Sequence, residues 1–103
     1  MTLDKLGNIL EAAGIPVAYS HFKDKQKLPF ICYKESFTQN FKADNQVYKK
    51  RTFVDVELYT KYKDQFIENK IEQILSDNSI TWDVVETFIE EENVFQRVYE
   101  ISL

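Results

Sequence analysis

The sequence is short of the residues that build most reactive sites. In 103 residues there are two Gly, two Pro, one Cys and one His. One cysteine cannot close an intramolecular disulfide and offers at most one metal ligand, which fits a reducing compartment. No glycine-rich phosphate loop is present, and no His/Cys pair has zinc-site spacing. The apolar runs are only a few residues long, far below the roughly 20 that span a bilayer, so no membrane partner is expected. The opening residues Met1 to Leu6 show no basic segment followed by an apolar block, so no secretory signal is expected. No cofactor is expected either.

What is present is a core and an uneven charge. The hydrophobic fraction is 44% and the aromatic fraction 15%, with eight Phe and six Tyr. That is enough apolar surface for a packed interior, and the length suits one α+β domain over residues 1–103. The net charge is −4. Residues 1–52 hold nine Lys/Arg and five Asp/Glu, a net +4, whereas residues 53–103 hold four and twelve, a net −8. Either these are two ordinary solvated surfaces, or one subunit's basic side meets the acidic side of its neighbour.

Periodicity sets the order of elements. Leu3, Leu6, Ile9, Leu10 and Ala13 share one face of a helix over 3–13. Thr2 is its N-cap, Gly14 its left-handed C-terminal residue, and Pro16 prevents continuation. Gly7 costs about 1 kcal/mol relative to Ala inside a helix, which suggests close approach of a neighbouring backbone. A short extended segment, 16–19, precedes a Lys-rich loop over 23–27. Strands over 30–37 and 47–59 form a long antiparallel hairpin with its tip near 40–48, and Ala43 to Gln46 is turn-like. A second helix over 64–77 carries Ile67, Ile71, Ile74 and Leu75, extended by Phe66. Asp64 caps its start, and Asn78 is its left-handed end. Strands over 82–89 and 94–103 make a last hairpin around Glu90 to Asn93, with its register left open by Val84-Val85 and Val94-Phe95. The expected fold is α+β, two helices packed on one face of an antiparallel sheet, in the order α-β-β-β-α-β-β. Leu6, Leu10, Val56, Leu58, Ile71 and Ile74 should be buried where helices meet sheet.

The candidate chemistry is sparse. His21 and Cys32 lie in one stretch, but nucleophilic catalysis also needs an oxyanion site and an orienting group, and neither has a signature. Cys32, between Ile31 and Tyr33 on a strand, reads as a buried inert thiol. Glu90-Glu91-Glu92 lacks the alternating ligands and glycine of a calcium loop and reads as a solvated hairpin tip. Glu86 and Glu90 do not establish acid–base work without a pocket. The expectation is a protein that is not an enzyme.

Two binding readings use the first hairpin. Lys42, Lys49, Lys50 and Arg51, interleaved with Phe41, Tyr48 and Phe53, could hold a nucleic-acid backbone and stack bases. A pI near 5.0 and the acidic second half oppose that, so direct nucleic-acid binding is the weaker reading. The other is a projecting hairpin anchored beside a neighbour by Phe37 and Phe41, against the alternative that these aromatics fold back onto the domain's own core. The candidate subunit interface is then Phe37, Phe41, Lys49, Lys50 and Arg51 against Glu90, Glu91 and Glu92.

The stretches GIPVAYSHFKDKQKLPFICY and FKADNQVYKKRTFVDVELYTKYKD resemble a group of small structural proteins from siphophages and prophages of Gram-positive bacteria. These are encoded among head–tail connection and tail genes. The similarity runs over nearly the whole chain and includes Pro16 to Tyr19, His21-Phe22, Pro29-Phe30, Tyr33, Ala43-Asp44 and Val56 to Thr60. Segment lengths and element order look like the tail-completion and tail-terminator type, which forms rings where the tail tube meets the head. The resemblance implies a homo-oligomeric ring, other tail or connector proteins as partners, and a place in the virion after synthesis in the host cytoplasm. The alternative is a small cytoplasmic binding module, a nucleic-acid adaptor using the basic hairpin.

Overall fold

The structure is a computed structural model. It describes residues 1–43 and 46–103, and for 42, 43 and 47–49 it describes the backbone alone. Helix α1 spans Leu3–Leu10 and is followed by a 3-10 turn over Glu11–Ala13. Strands β1 (Val17–Tyr19), β2 (Phe30–Ala43) and β3 (Gln46–Thr60) come next. Helix α2 (Gln65–Asp77) then leads to β4 (Asp83–Ile89) and β5 (Val94–Ser102). The five strands form one sheet in the order β1-β2-β3-β5-β4.

The helices start where side chains satisfy their free amides. The Thr2 hydroxyl accepts from the Lys5 amide at 3.2 Å, and the Asp64 carboxylate accepts from the Ile67 amide at 3.2 Å. Helix α1 is shorter than the apolar spacing predicts, because its last turn tightens to 3-10 before Gly14 takes φ 80°. At the end of α2, Asn78 is not the left-handed residue. Its side-chain amide donates to the Ile74 carbonyl at 2.8 Å, which holds it near the helical ladder. The positive φ, 59°, falls on Ser79 instead.

The sheet is mixed rather than antiparallel. Strand β1 runs parallel to β2, pairing Val17 with Ile31 and Tyr19 with Tyr33. Parallel neighbours need a crossover, and the loop 20–29 provides it without a helix. It is closed at both ends by backbone bonds, Ile31 N–H to the Pro16 carbonyl (2.8 Å) and Ser20 N–H to the Tyr33 carbonyl (2.7 Å). All other pairings are antiparallel. The register of the last hairpin sets Val84 opposite Tyr99 and Val85 opposite Val98. Val84 therefore packs on the core, and Val85 stays on the other face, 53% exposed.

Both helices cover one face. Leu6, Leu10 and Ala13 of the first helical segment and Ile71 and Leu75 of α2 bury against Ile31, Val54, Val56, Leu58, Tyr99 and Ile101. Truncating one of these aliphatics to Ala typically costs about 2–5 kcal/mol. Ile74 is half-buried at the margin of this cluster rather than inside it. Phe66 does not extend the apolar stripe of α2. It is 71% exposed, with the Lys70 ammonium 4.9 Å from its ring centre, one helical turn on.

Gly7 is buried because a side chain, not a backbone, needs its space. A Cβ built there would overlap the Tyr33 hydroxyl and lie 3.0 Å from Cζ. Gly7→Ala gains about 1 kcal/mol of helix propensity but displaces a packed ring, and overpacking typically costs about 1–3 kcal/mol. We expect Gly7→Ala to lower the free energy of unfolding in urea. Adding Tyr33→Phe should recover part of that loss. A Gly7→Ala protein more stable than the parent would show that the ring moves freely.

Candidate functional site

Strands β2 and β3 outrun their neighbours. Strand β5 pairs with β3 only from Phe53 to Thr60, and β1 reaches only Tyr33 of β2. Beyond those limits residues 37–43 and 46–52 form a two-stranded arm, and among the described residues no further strand flanks it on either side. Seven residues of strand reach about 23 Å at about 3.3 Å each. The molecule measures 50 × 30 × 24 Å, with a radius of gyration of 14.9 Å, against about 13 Å for a compact chain of this length. The turn expected over Ala43 to Gln46 is shorter than that, since these two residues pair with each other. Asp44 and Asn45 lie outside the described residues.

A β-bulge sets which way the arm's aromatics point. The register steps between Glu35 and Phe37. Ser36 is the extra residue there, and its hydroxyl donates to the Phe53 carbonyl at 3.1 Å. Without this step Phe37 would follow Tyr33 and Glu35 onto the helix-covered face. With it, Phe37 pairs with Phe53 on the open face, their rings stacked at 4.4 Å and 16°. Phe41 follows on the same face by alternation. Arg51 lies there too, its guanidinium 5.7 Å from the Phe53 ring centre. Phe37 is 57% and Phe41 42% exposed, so neither folds back into the core. Lys50 is exposed on the reverse side of the arm. The side chain of Lys49 lies outside the described residues.

The acidic candidates sit at the other end. Glu90, Glu91 and Glu92 are exposed in the β4–β5 turn, next to the Ile89–Val94 pair. That turn borders the Thr60–Phe95 end of the sheet, whereas the arm leaves from the Phe53–Ser102 end. The structure therefore separates the two halves of the proposed interface along the long axis of one molecule. It does not bring them together.

Beside the acidic turn, on the open sheet face, is a cleft of about 800 Å³. The loop 20–29 overhangs it, and its walls include Phe22, Phe30, Cys32, Tyr59 and Val94, with Glu91 and Glu92 at the rim. Phe30 stacks on Tyr59 at 5.0 Å, and Phe22 meets Phe30 edge-on at 5.3 Å. The Tyr59 hydroxyl donates to Glu57 at 3.0 Å and accepts from the Gln96 amide at 2.9 Å. Burial, chiefly, pushes its phenol up to about 12. His21 and Cys32 both line the cleft. The His21 ring contacts the Ser20 hydroxyl (3.1 Å) and is solvent-exposed. Cys32 is buried, and burial together with the nearby Glu57 carboxylate raises its thiol above the ordinary value. That environment works against a thiolate nucleophile.

A cluster that periodicity did not reveal lies on the covered face. Glu68 of α2 is 5% exposed. It accepts from the Lys63 ammonium (2.8 Å) and lies 3.5 Å from Arg97 Nε. Arg97 also reaches Glu72 and Glu86, each at 3.2 Å. Its Nε donates to the Tyr99 hydroxyl (3.0 Å), which in turn donates to Glu72 (2.9 Å). Hydrogen bonding to Lys63 holds the Glu86 carboxyl below its usual value, and the bond to Glu68 holds the Lys63 ammonium above its own. Every carboxylate here has a cation, so the cluster fastens α2 to β4 and β5. Its only sequence signal is Glu68 and Glu72 at i, i+4 on α2.

Arg97→Met should leave Glu72 without its cation, while Glu68 and Glu86 keep Lys63. Breaking a fully buried pair costs roughly 3–5 kcal/mol; Arg97 and Glu72 are half-buried and Lys63 remains, so we expect a smaller loss, about 1–3 kcal/mol, in denaturant unfolding. Arg97→Met combined with Glu72→Leu should regain much of it. An Arg97→Met protein as stable as the parent would remove the fastening role.

Among the described residues no helix is long and apolar enough to cross a membrane, and no group of three His, Cys, Asp or Glu could hold a metal ion. No protein-family model matches the chain, and no curated protein sequence matches it.

Proposed function

We propose that the protein is a phage or prophage virion component of the head–tail junction or tail end, of the tail-completion or terminator type, assembling as a ring. The observation that carries this reading is the arm. A two-stranded ribbon is marginal by itself in water, and this one holds its aromatics outward. That is the geometry of an element completed by a neighbour. The resemblance of residues 14–33 and 41–64 to phage connector and tail proteins supplies the setting. The basic arm and acidic turn at opposite ends suit a head-to-tail contact, which closes into a ring when the rotation between subunits allows it.

The alternative is a nucleic-acid adaptor that uses the same arm. Its support is the exposed Phe37–Phe53 stack beside Arg51, an arrangement on which bases could stack. It predicts a gel shift of single-stranded DNA that weakens steeply with salt.

Deleting the gene from an inducible prophage separates the two readings. The tail reading predicts unjoined heads and tails, or tails of irregular length, by electron microscopy, with infectivity restored by the gene in trans. Normal, fully infectious particles from the deletion strain would overturn it.

A further inference from the structure

We propose that the arm of one copy of the chain lies in the open-face cleft of a second copy. Phe41 and Phe37 pack against Phe22, Phe30 and Tyr59, and the basic arm faces Glu91 and Glu92. The inference rests on the self-assembling part of the function proposed above and names the contact that would carry it.

Three observations select a second copy as the occupant. The first is complementarity. Residues 37–52 contain four basic residues and one acidic, and the cleft is lined by three carboxylates, Asp24, Glu91 and Glu92, against one ammonium, Lys25. The anchors offered are aromatic, and so are the walls that would receive them. The second is orientation. Phe37, Phe41 and Arg51 project from the open face of the sheet, and Phe30, Cys32 and Tyr59 line the cleft on that same face. Each surface is therefore presented where the helices do not interfere. The third is reach. From Phe41 to Phe30 along β2 is eleven residues, about 36 Å of strand, so a molecule cannot fill its own cleft. The arm that would fill it is that of another copy.

Carboxylates at the rim act chiefly on encounter rate and register, and the buried rings carry most of the affinity. Contact through the arm should accordingly weaken with salt without vanishing.

The test is site-specific photocrosslinking of the full chain with Phe41→p-benzoylphenylalanine, followed by peptide mapping. The expected product is a two-chain species joining residue 41 to peptides containing Phe22, Phe30 or Val94. Glu91→Lys with Glu92→Lys, both at exposed positions, should reduce its yield at least tenfold, and Arg51→Glu should do the same from the other side. Mixing the Arg51→Glu and Glu91→Lys/Glu92→Lys chains should restore it. A crosslink mapping elsewhere, or a yield unchanged in the charge variants, would overturn the contact. So would the absence of any two-chain product up to millimolar protein. A crosslink only to a different tail protein in an induced lysate would overturn this contact and leave the tail reading standing. The expected self-crosslink together with normal particles from the deletion strain would do the reverse.

Discussion

Two strands of this sheet are longer than anything available to flank them. Strands β2 and β3 run on for seven residues past the last pairing with β5, and beyond the Leu103 amide, which donates to the Thr52 carbonyl at the root (2.8 Å), the described residues show only the ladder between the two strands. Inside the body the same strands are secured twice over. They have neighbours on both sides and a core of Val54, Val56, Leu58 and Ile31 beneath the helices. Outside it they have neither. A two-stranded ribbon is marginal by itself in water, and this is what supports the proposal that a second copy completes it.

The body is arranged to hold that extension firmly at its root. Helices α1 and α2 cover one face and join a single core. The Arg97, Lys63 and glutamate cluster fastens α2 across β4 and β5, on the side of β3 away from β2. Tyr33 wedges against Gly7 and ties β2 to the first helix. At the root itself the Ser36 bulge turns the chain's alternation by one residue. Upstream of it the odd-numbered side chains of β2 lie on the helix-covered face, Ile31 in the core and Tyr33 against it, and downstream they lie on the open face. One inserted residue thus converts a core-facing row into an outward aromatic row.

Much of this was legible in the sequence, and the parts that were not have physical reasons. Caps at Thr2 and Asp64, the long hairpin and the alternation of Val54, Val56 and Leu58 follow from local chemistry and period, which the fold preserves. The parallel direction of β1 does not, because three residues carry no directional signal and the loop 20–29 decides it. The bulge at Ser36 is invisible to a pattern that assumes unbroken alternation. Phe66 looked like core on helical spacing but is held over solvent by Lys70, and Asn78 gave up the left-handed position to Ser79 by bonding back to Ile74. Of the candidate interface, charge segregation was plain in composition. That Lys50 and Arg51 stand at the opposite end of the molecule from Glu90, Glu91 and Glu92 required the strand register.

On the proposed reading the arm gains its stability from a second copy. Amide hydrogen exchange across residues 37–43 and 46–52, measured as protein concentration is raised, tests it most directly. Exchange of these amides should be fast in the dilute monomer while the amides of Val54, Val56 and Leu58 stay protected. The arm should then gain protection as copies associate. Arm amides as protected as the core at every concentration, with the protein monomeric throughout, would contradict the account.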